Sequence, residues 1–313
     1  MQDNLDELII ATNEQLGIGK SFIEKDYHVT RIIHALADTE SEYFKLIFQG
    51  GTCLSKAHLI TERMSEDCDF RMQPKTSTQA LSKAKLRNEL KKFRNSLVNS
   101  LSDNGFYVEK EPEVRNEGNF MRFWVRYDSL YVSLQFPILF TPNILLEFIQ
   151  VETKTPTVNL PVTSLIRQTL GKVVDHKEKN IDCVSIIETA AEKWVALTRR
   201  IVRTEAKLNT NDIKLIRHLY DLHAIAETVG IGAGFDGLVS LVMSEDRERE
   251  KNTDYYLDPI AESKKALKIL TSNPIWRDYW EKFIATMVFQ REKPSFDVVM
   301  ASLLKLSEQV FKS

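Results

Sequence analysis

The residues best suited to chemistry lie between positions 48 and 72, in FQGGTCLSKAHLITERMSEDCDFRM. Asp67 and Asp69 stand two apart in a segment that alternates acidic with apolar or small side chains. On a strand, both carboxylates then face one way, while Cys68 and Phe70 face the other. Upstream, Gly50 and Gly51 interrupt a short apolar run, and glycines let backbone N–H groups approach a ligand closely. Thr52 can cap a helix running to about Ile60, whose N-terminus would aim free donors at the same spot, which suits phosphate. Lys56 and Arg63 add positive charge nearby. The Ser65 hydroxyl can contact a phosphate or cap the strand edge. Two carboxylates beside a phosphate cradle suit Mg²⁺, which is usually held by one or two carboxylates plus substrate phosphates. A Gly-Gly pair or an Asp-x-Asp alone is commonplace; their order and spacing together are specific.

Those residues need elements to position them. Apolar residues at helical spacing predict two helices across residues 3–37. YFKLIFQ at 43–49 reads as a strand, as do residues 66–72, 105–110, 120–127, 130–139 and 143–151. Residues 78–102 read as a long polar helix. From 164 onward the pattern is helical almost to the end, most strongly at 185–204 and 211–228. SEDRERE at 244–250 reads as a looser acidic surface stretch. The fold class expected is α+β: a mixed or antiparallel sheet flanked by helices in residues 1–160, then a helical domain in 161–313. Ser129–Leu146 carries no charge, but Pro137, Pro142 and several polar residues make paired strands a better reading than a membrane helix.

GGTCLSKAH followed by RMSEDCDF resembles the AbiEii/AbiGii group of nucleotidyltransferase toxins, within the DNA polymerase β-like superfamily. Further segments agree in order: IEKDYH at 23–28, NILLEFI at 143–149, ETAAEKWVALTRR at 188–200 and RHLYDL at 217–222. His218 departs from the family, which usually has Asp there. The resemblance implies a metal-dependent toxin of a type IV toxin–antitoxin or abortive-infection pair. It would transfer a nucleoside monophosphate from NTP to an acceptor, with Mg²⁺ or Mn²⁺ as cofactor and a cognate antitoxin as partner. It implies catalytic roles for Asp67, Asp69, Lys193 and Asp221, and nucleotide contacts from Gly50, Gly51, Thr52, Lys56, Arg63 and Ser65. Asp67 and Asp69 are the expected metal ligands. A third carboxylate usually completes such a site in the superfamily; Glu147 is the candidate, with Glu152 weaker, and an outward-facing strand Glu is an equal alternative.

Lys193 and Asp221 also have ordinary readings. A lysine on an apolar helix can lay its stem over the core and keep its head in water. Asp221 can pair with Arg217 at i,i+4 for about 0.3–0.5 kcal/mol. In the family, the aligned lysine is an active-site residue, implied to meet the triphosphate. The aligned aspartate orients that lysine or serves as a general base.

Composition narrows the remaining choices. The 313 residues hold 42 Lys+Arg against 44 Asp+Glu, which excludes a uniformly basic nucleic-acid coat but not a local basic face. The three cysteines lack the paired spacing of a zinc site and have no metal-ligand spacing with the six histidines, and a reduced, cytoplasmic setting fits them best. There is no Walker-type loop. Basic stretches at 83–94 and 199–207 make RNA, such as a tRNA 3′ end, a reasonable acceptor, if they are not simply solvated helix faces. A protein or small-molecule acceptor, or a catalytically silent binding module, are the alternatives.

Overall fold

The computed structural model describes residues 2–65, 67–131, 142–171, 178–207, 215–249 and 254–311. The chain forms two compact units, Met1–Leu59 with Met64–Val184, and Ile60–Arg63 with Ser185–Ser313. These units divide at 184/185, whereas the sequence reading sets its domain boundary at 160/161, and residues 60–63 group with the second unit.

The first unit opens with helices α1 (Gln2–Leu16) and α2 (Lys20–Ala37), then strand β1 (Phe44–Gln49), helix α3 (Gly50–Lys56) and strand β2 (Asp67–Pro74). Helix α4 (Lys83–Asp103) follows, then strands β3 (Tyr107–Val108), β4 (Glu113–Arg115), β5 (Phe120–Arg126), β6 (Asn143–Ile149) and β7 (Val158–Val162). Helix α5 (Leu165–Leu170) and strand β8 (Lys179–Cys183) complete it. The strands form one mixed sheet in the order β3-β5-β6-β2-β1-β8-β7, with β4 also on β5. β1 runs antiparallel to β2, while β2 and β6 are parallel. β8 sits parallel to β1, inside the stretch expected to be helical. β7 was hidden by its composition: it is an edge strand and tolerates Pro161, which a central strand would not. Most of the predicted strand at 130–139 lies outside the described residues.

The dry face of the sheet is a row of aromatic rings. Phe48 stands opposite Phe70, and Phe70 beside Phe148, with ring centroids 5.4 and 5.2 Å apart; Phe123 adds a fourth ring 4.9 Å from Phe148. Against this face packs α4. Its Leu90, Phe93, Leu97 and Leu101 recur at helical spacing and are all buried, and the Ser82 hydroxyl caps its N-terminus.

The second unit is helical: α6 (Ile186–Lys207), α7 (Ile216–Thr228), α8 (Phe235–Arg249), α9 (Pro259–Ser272), α10 (Ile275–Met287) and α11 (Phe296–Val310). α6 packs on α7, α8 and α9, burying Trp194, Leu197 and Ile201. The acidic stretch at 244–249 is helical, as the end of α8. Trp276 and Trp280 are core anchors, 2% and 0% exposed. Among the described residues, no helix is long and apolar enough to cross a membrane.

Candidate active site

In the first unit the strand register assembles the carboxylates. β2 and β6 pair so that Asp69 lies beside Glu147 and Asp67 beside Leu145. Asp67, Asp69 and Glu147 are partly exposed on one face, and Cys68, Phe70, Leu146 and Phe148 are buried on the other. A one-residue slip would send the carboxylates into the core, so the phenylalanine row holds the site's register. Burial, and then the charges of Asp69 and Asp67, push the Cys68 thiol far up, so it is no nucleophile.

Gly50 meets the carboxylates from the adjoining strand. Its φ is +79°, in the left-handed region, and a Cβ there would overlap Asp69 Oδ2 and lie 3.2 Å from its Cγ. Glycine is therefore required twice, for the backbone and for the close approach. The helix it opens differs from expectation. α3 begins at Gly50 rather than after Thr52 and ends at Lys56 rather than Ile60, with Gln49 in the N-cap position. Thr52 is instead buried, its hydroxyl bonded to Ser65 Oγ at 2.6 Å and to the Asp67 carbonyl. These two hydroxyls brace the chain as it enters β2.

Lys56 is 4% exposed, with Nζ on Asp26 Oδ1 at 2.5 Å. Asp26 Oδ2 accepts from the Leu165 N–H at 2.7 Å. Its neighbour Glu24, fully buried, accepts from Ser129 Oγ at 2.6 Å and from the Leu130 N–H. The Glu-Lys-Asp segment of α2 is thus built into the frame around the site. Glu147 Oε1 accepts from Arg122 Nε at 2.7 Å. Glu152 is exposed, and its carbonyl accepts from Arg71 Nη1 at 3.0 Å.

Arg71 was not expected. It lies on the same face of β2 as Asp69, fully buried, and its Nε donates to Gln49 Oε1 at 2.7 Å. Alternation from Asp69 would have placed it there; its burial had no signal. Among the described residues, no three His, Cys, Asp or Glu are placed to hold a metal by themselves. Asp67 and Asp69 still fit Mg²⁺: both are partly exposed hard-oxygen donors on one face, and the remaining ligands of such ions are usually phosphate and water.

In the second unit, Lys193 on α6 and Asp221 on α7 meet, with Nζ 2.6 Å from Oδ2. Arg63 joins them through two parallel bonds, Nε to Oδ1 at 2.6 Å and Nη2 to Oδ2 at 2.7 Å. Asp221 is fully buried, Arg63 4% and Lys193 7% exposed. Burial alone would raise the Asp221 pKa, but the charges of Arg63 and Lys193 overcome it and hold the carboxyl well below its usual range. Asp221 thus has Arg63 and Lys193 as partners. His218 is partly buried. Desolvation, then Lys193 and Arg200, keep it neutral, with Arg200 Nη1 3.4 Å from its Nε2.

The basic stretches divide. Arg199 is buried on Asp246, Nε to Oδ2 at 2.8 Å. Lys92 pairs with Glu89 at 2.7 Å, and Arg87 with Glu117. Lys83, Lys85 and Lys91 are exposed without an ion pair among the described residues, on a helix that covers the sheet face opposite the carboxylates.

A mixed sheet that sets two aspartates on one strand face against a glycine turn is the layout of a nucleotidyltransferase. The sequence matches the family described as Nucleotidyl transferase AbiEii toxin, Type IV TA system, over residues 34–302, and the chain belongs to that family. Its fold is similar to that of MenT4, a nucleotidyltransferase toxin from Mycobacterium tuberculosis H37Rv, with a TM-score of 0.54 and 18% identity over 97% of this chain and 99% of that one. No curated protein matches the chain at a significant level.

Proposed function

We propose that the chain transfers a nucleoside monophosphate from an NTP to an acceptor hydroxyl, with RNA, first of all a tRNA 3′ end, as the acceptor. The observation that carries this reading is the pairing of Asp67 with Asp69 on one face of β2, with the Gly50 backbone pressed against Asp69. The hydroxyl oxygen bonds to the α-phosphorus, the α–β anhydride bond breaks, and pyrophosphate leaves. Asp67 and Asp69 hold Mg²⁺ or Mn²⁺, with Glu147 as a candidate third ligand once it leaves Arg122. A bound divalent ion supplies charge neutralisation at the reacting phosphate. Gly50 and Gly51 bring the backbone close to the phosphates, while Thr52, Ser65 and Lys56 hold the glycine turn and β2 in place. Lys193 supplies positive charge to the triphosphate. Asp221 orients Lys193 rather than acting as general base, because a carboxylate flanked by two cations is a poor proton acceptor.

Exposed Lys83, Lys85 and Lys91 lie on the helix behind the sheet, so the RNA acceptor rests on the family resemblance and not on them. Membership of a type IV toxin–antitoxin family supports a toxin restrained by an antitoxin; abortive infection as its role and the cytoplasm, where NTPs are supplied, as its place of action are part of the same proposal.

The test is label transfer from each α-³²P-NTP with Mg²⁺ and total bacterial tRNA. Labelled tRNA is expected with the wild type, and a drop of about 100-fold or more with Asp67→Asn or Asp69→Asn at unchanged melting temperature. Label on protein alone would move the acceptor to protein. Full turnover by either variant would remove the metal assignment.

A further inference from the structure

We infer that Arg63 is a positioning residue, acting on the nucleotide through Asp221 and Lys193 and not by touching it. This rests on the reading that Lys193 meets the triphosphate. An ammonium has three N–H donors. Lys193 places one on Asp221 Oδ2, and no second partner is found for it among the described residues. Alone with Asp221, Lys193 would form a pair of no net charge.

Arg63 prevents this. Its planar fork takes both oxygens of Asp221, including the one Lys193 uses. Two cations then share one anion, and the three side chains sum to one positive charge. Lys193 keeps charge and donors for an incoming anion, while Asp221 is fixed on both sides. Phosphate-binding arginines present their fork to ligand; this fork faces Asp221.

The backbone around Arg63 is held as firmly. Arg63 forms a β-bridge with Val288, the Phe289 N–H donates to the Glu62 carbonyl at 3.0 Å, and the Glu62 N–H donates to Tyr220 Oη at 3.4 Å. Tyr220 Oη in turn donates to Gln290 Oε1 at 2.9 Å. The segment after α10 therefore delivers the guanidinium to α7. That gives residues 288–290 a part in nucleotide binding without contact with it.

The test is equilibrium binding of the α,β-methylene analogues of ATP, GTP, CTP and UTP with Mg²⁺, with thermal unfolding of every variant. Arg63→Gln should weaken binding of the preferred analogue about tenfold, Arg63→Lys by less, and Arg63→Gln should change it under about twofold when Asp221→Asn or Lys193→Met is already present. Should Asp221→Asn fail to fold, the Lys193→Met background decides alone. An equal loss from Arg63→Gln in all backgrounds would mean direct contact and overturn the inference. A lowered melting temperature with unchanged binding would reduce Arg63 to a structural pair and overturn it too. A wild type that binds no analogue would instead overturn the nucleotide reading, and this inference with it.

Discussion

At the scale of single residues, the site depends on one missing Cβ. Gly50→Ala would add a methyl group into Asp69 and force alanine to φ +79°, at a strain of about 1–2 kcal/mol. The expected outcome is loss of label transfer with a folded protein, read by the transfer assay beside circular dichroism. A second residue sets acid sensitivity. His28 is buried between Tyr127, at 4.2 Å between ring centroids, and Phe106, and neither ring nitrogen has a hydrogen-bond partner among the described residues. Burial, then the charge of Arg31, lower its pKa to about 3. Unfolded, it titrates near 6.5. Between those values only the unfolded chain binds the proton, so stability is full above pH 6.5 and falls as the pH drops. The loss at pH 5 is about 2 kcal/mol, and His28→Phe should flatten it in urea unfolding at pH 5, 6 and 7. Asp67 and Asp69 were legible because period-two alternation is a local signal. The partners of Lys56 and Arg63 were not, since Asp26 and Asp221 lie 30 and 158 residues away in the chain.

At the scale of elements, the sheet register is what turns a sequence pattern into a site. The four phenylalanines across β1, β2, β6 and β5 lock Asp69 next to Glu147 from behind. Phe148→Ala should cost about 3–5 kcal/mol, visible as a lower urea midpoint, and should depress activity more than Leu145→Ala on the partly exposed face. The long, periodic elements α4, α6 and α7 and the apolar strands β1, β2, β5 and β6 could be read in advance. β4, β7 and β8 could not. They are three to five residues long, and pairing partners rather than their own composition make them strands. The start of α3 differs from the sequence expectation for a related reason. Thr52 has the right side chain for a cap, but the Ser65 hydroxyl and the Asp67 carbonyl claim it first.

At the scale of the whole molecule, Ile60–Arg63 belong to a unit whose other residues begin at Ser185. The helical unit is therefore incomplete as a contiguous fragment. Residues 185–313 expressed alone would leave Asp221 without Arg63, and breaking a buried ion pair costs about 3–5 kcal/mol. That fragment should melt well below the corresponding transition of the intact chain, as scanning calorimetry would show.

The same crossover has a consequence in time. A ribosome extends a chain at about 5–20 residues per second. Arg63 leaves the ribosome with β2 close behind it, yet Asp221 follows 158 residues later and the Val288 bridge later still. At that rate the wait is about 10–45 s before the last of these contacts can form. On the proposed reading, a site that needs Arg63 and Lys193 set on Asp221 is therefore incomplete for most of the chain's synthesis. An antitoxin translated in the same window has that interval in which to meet it before Lys193 is set.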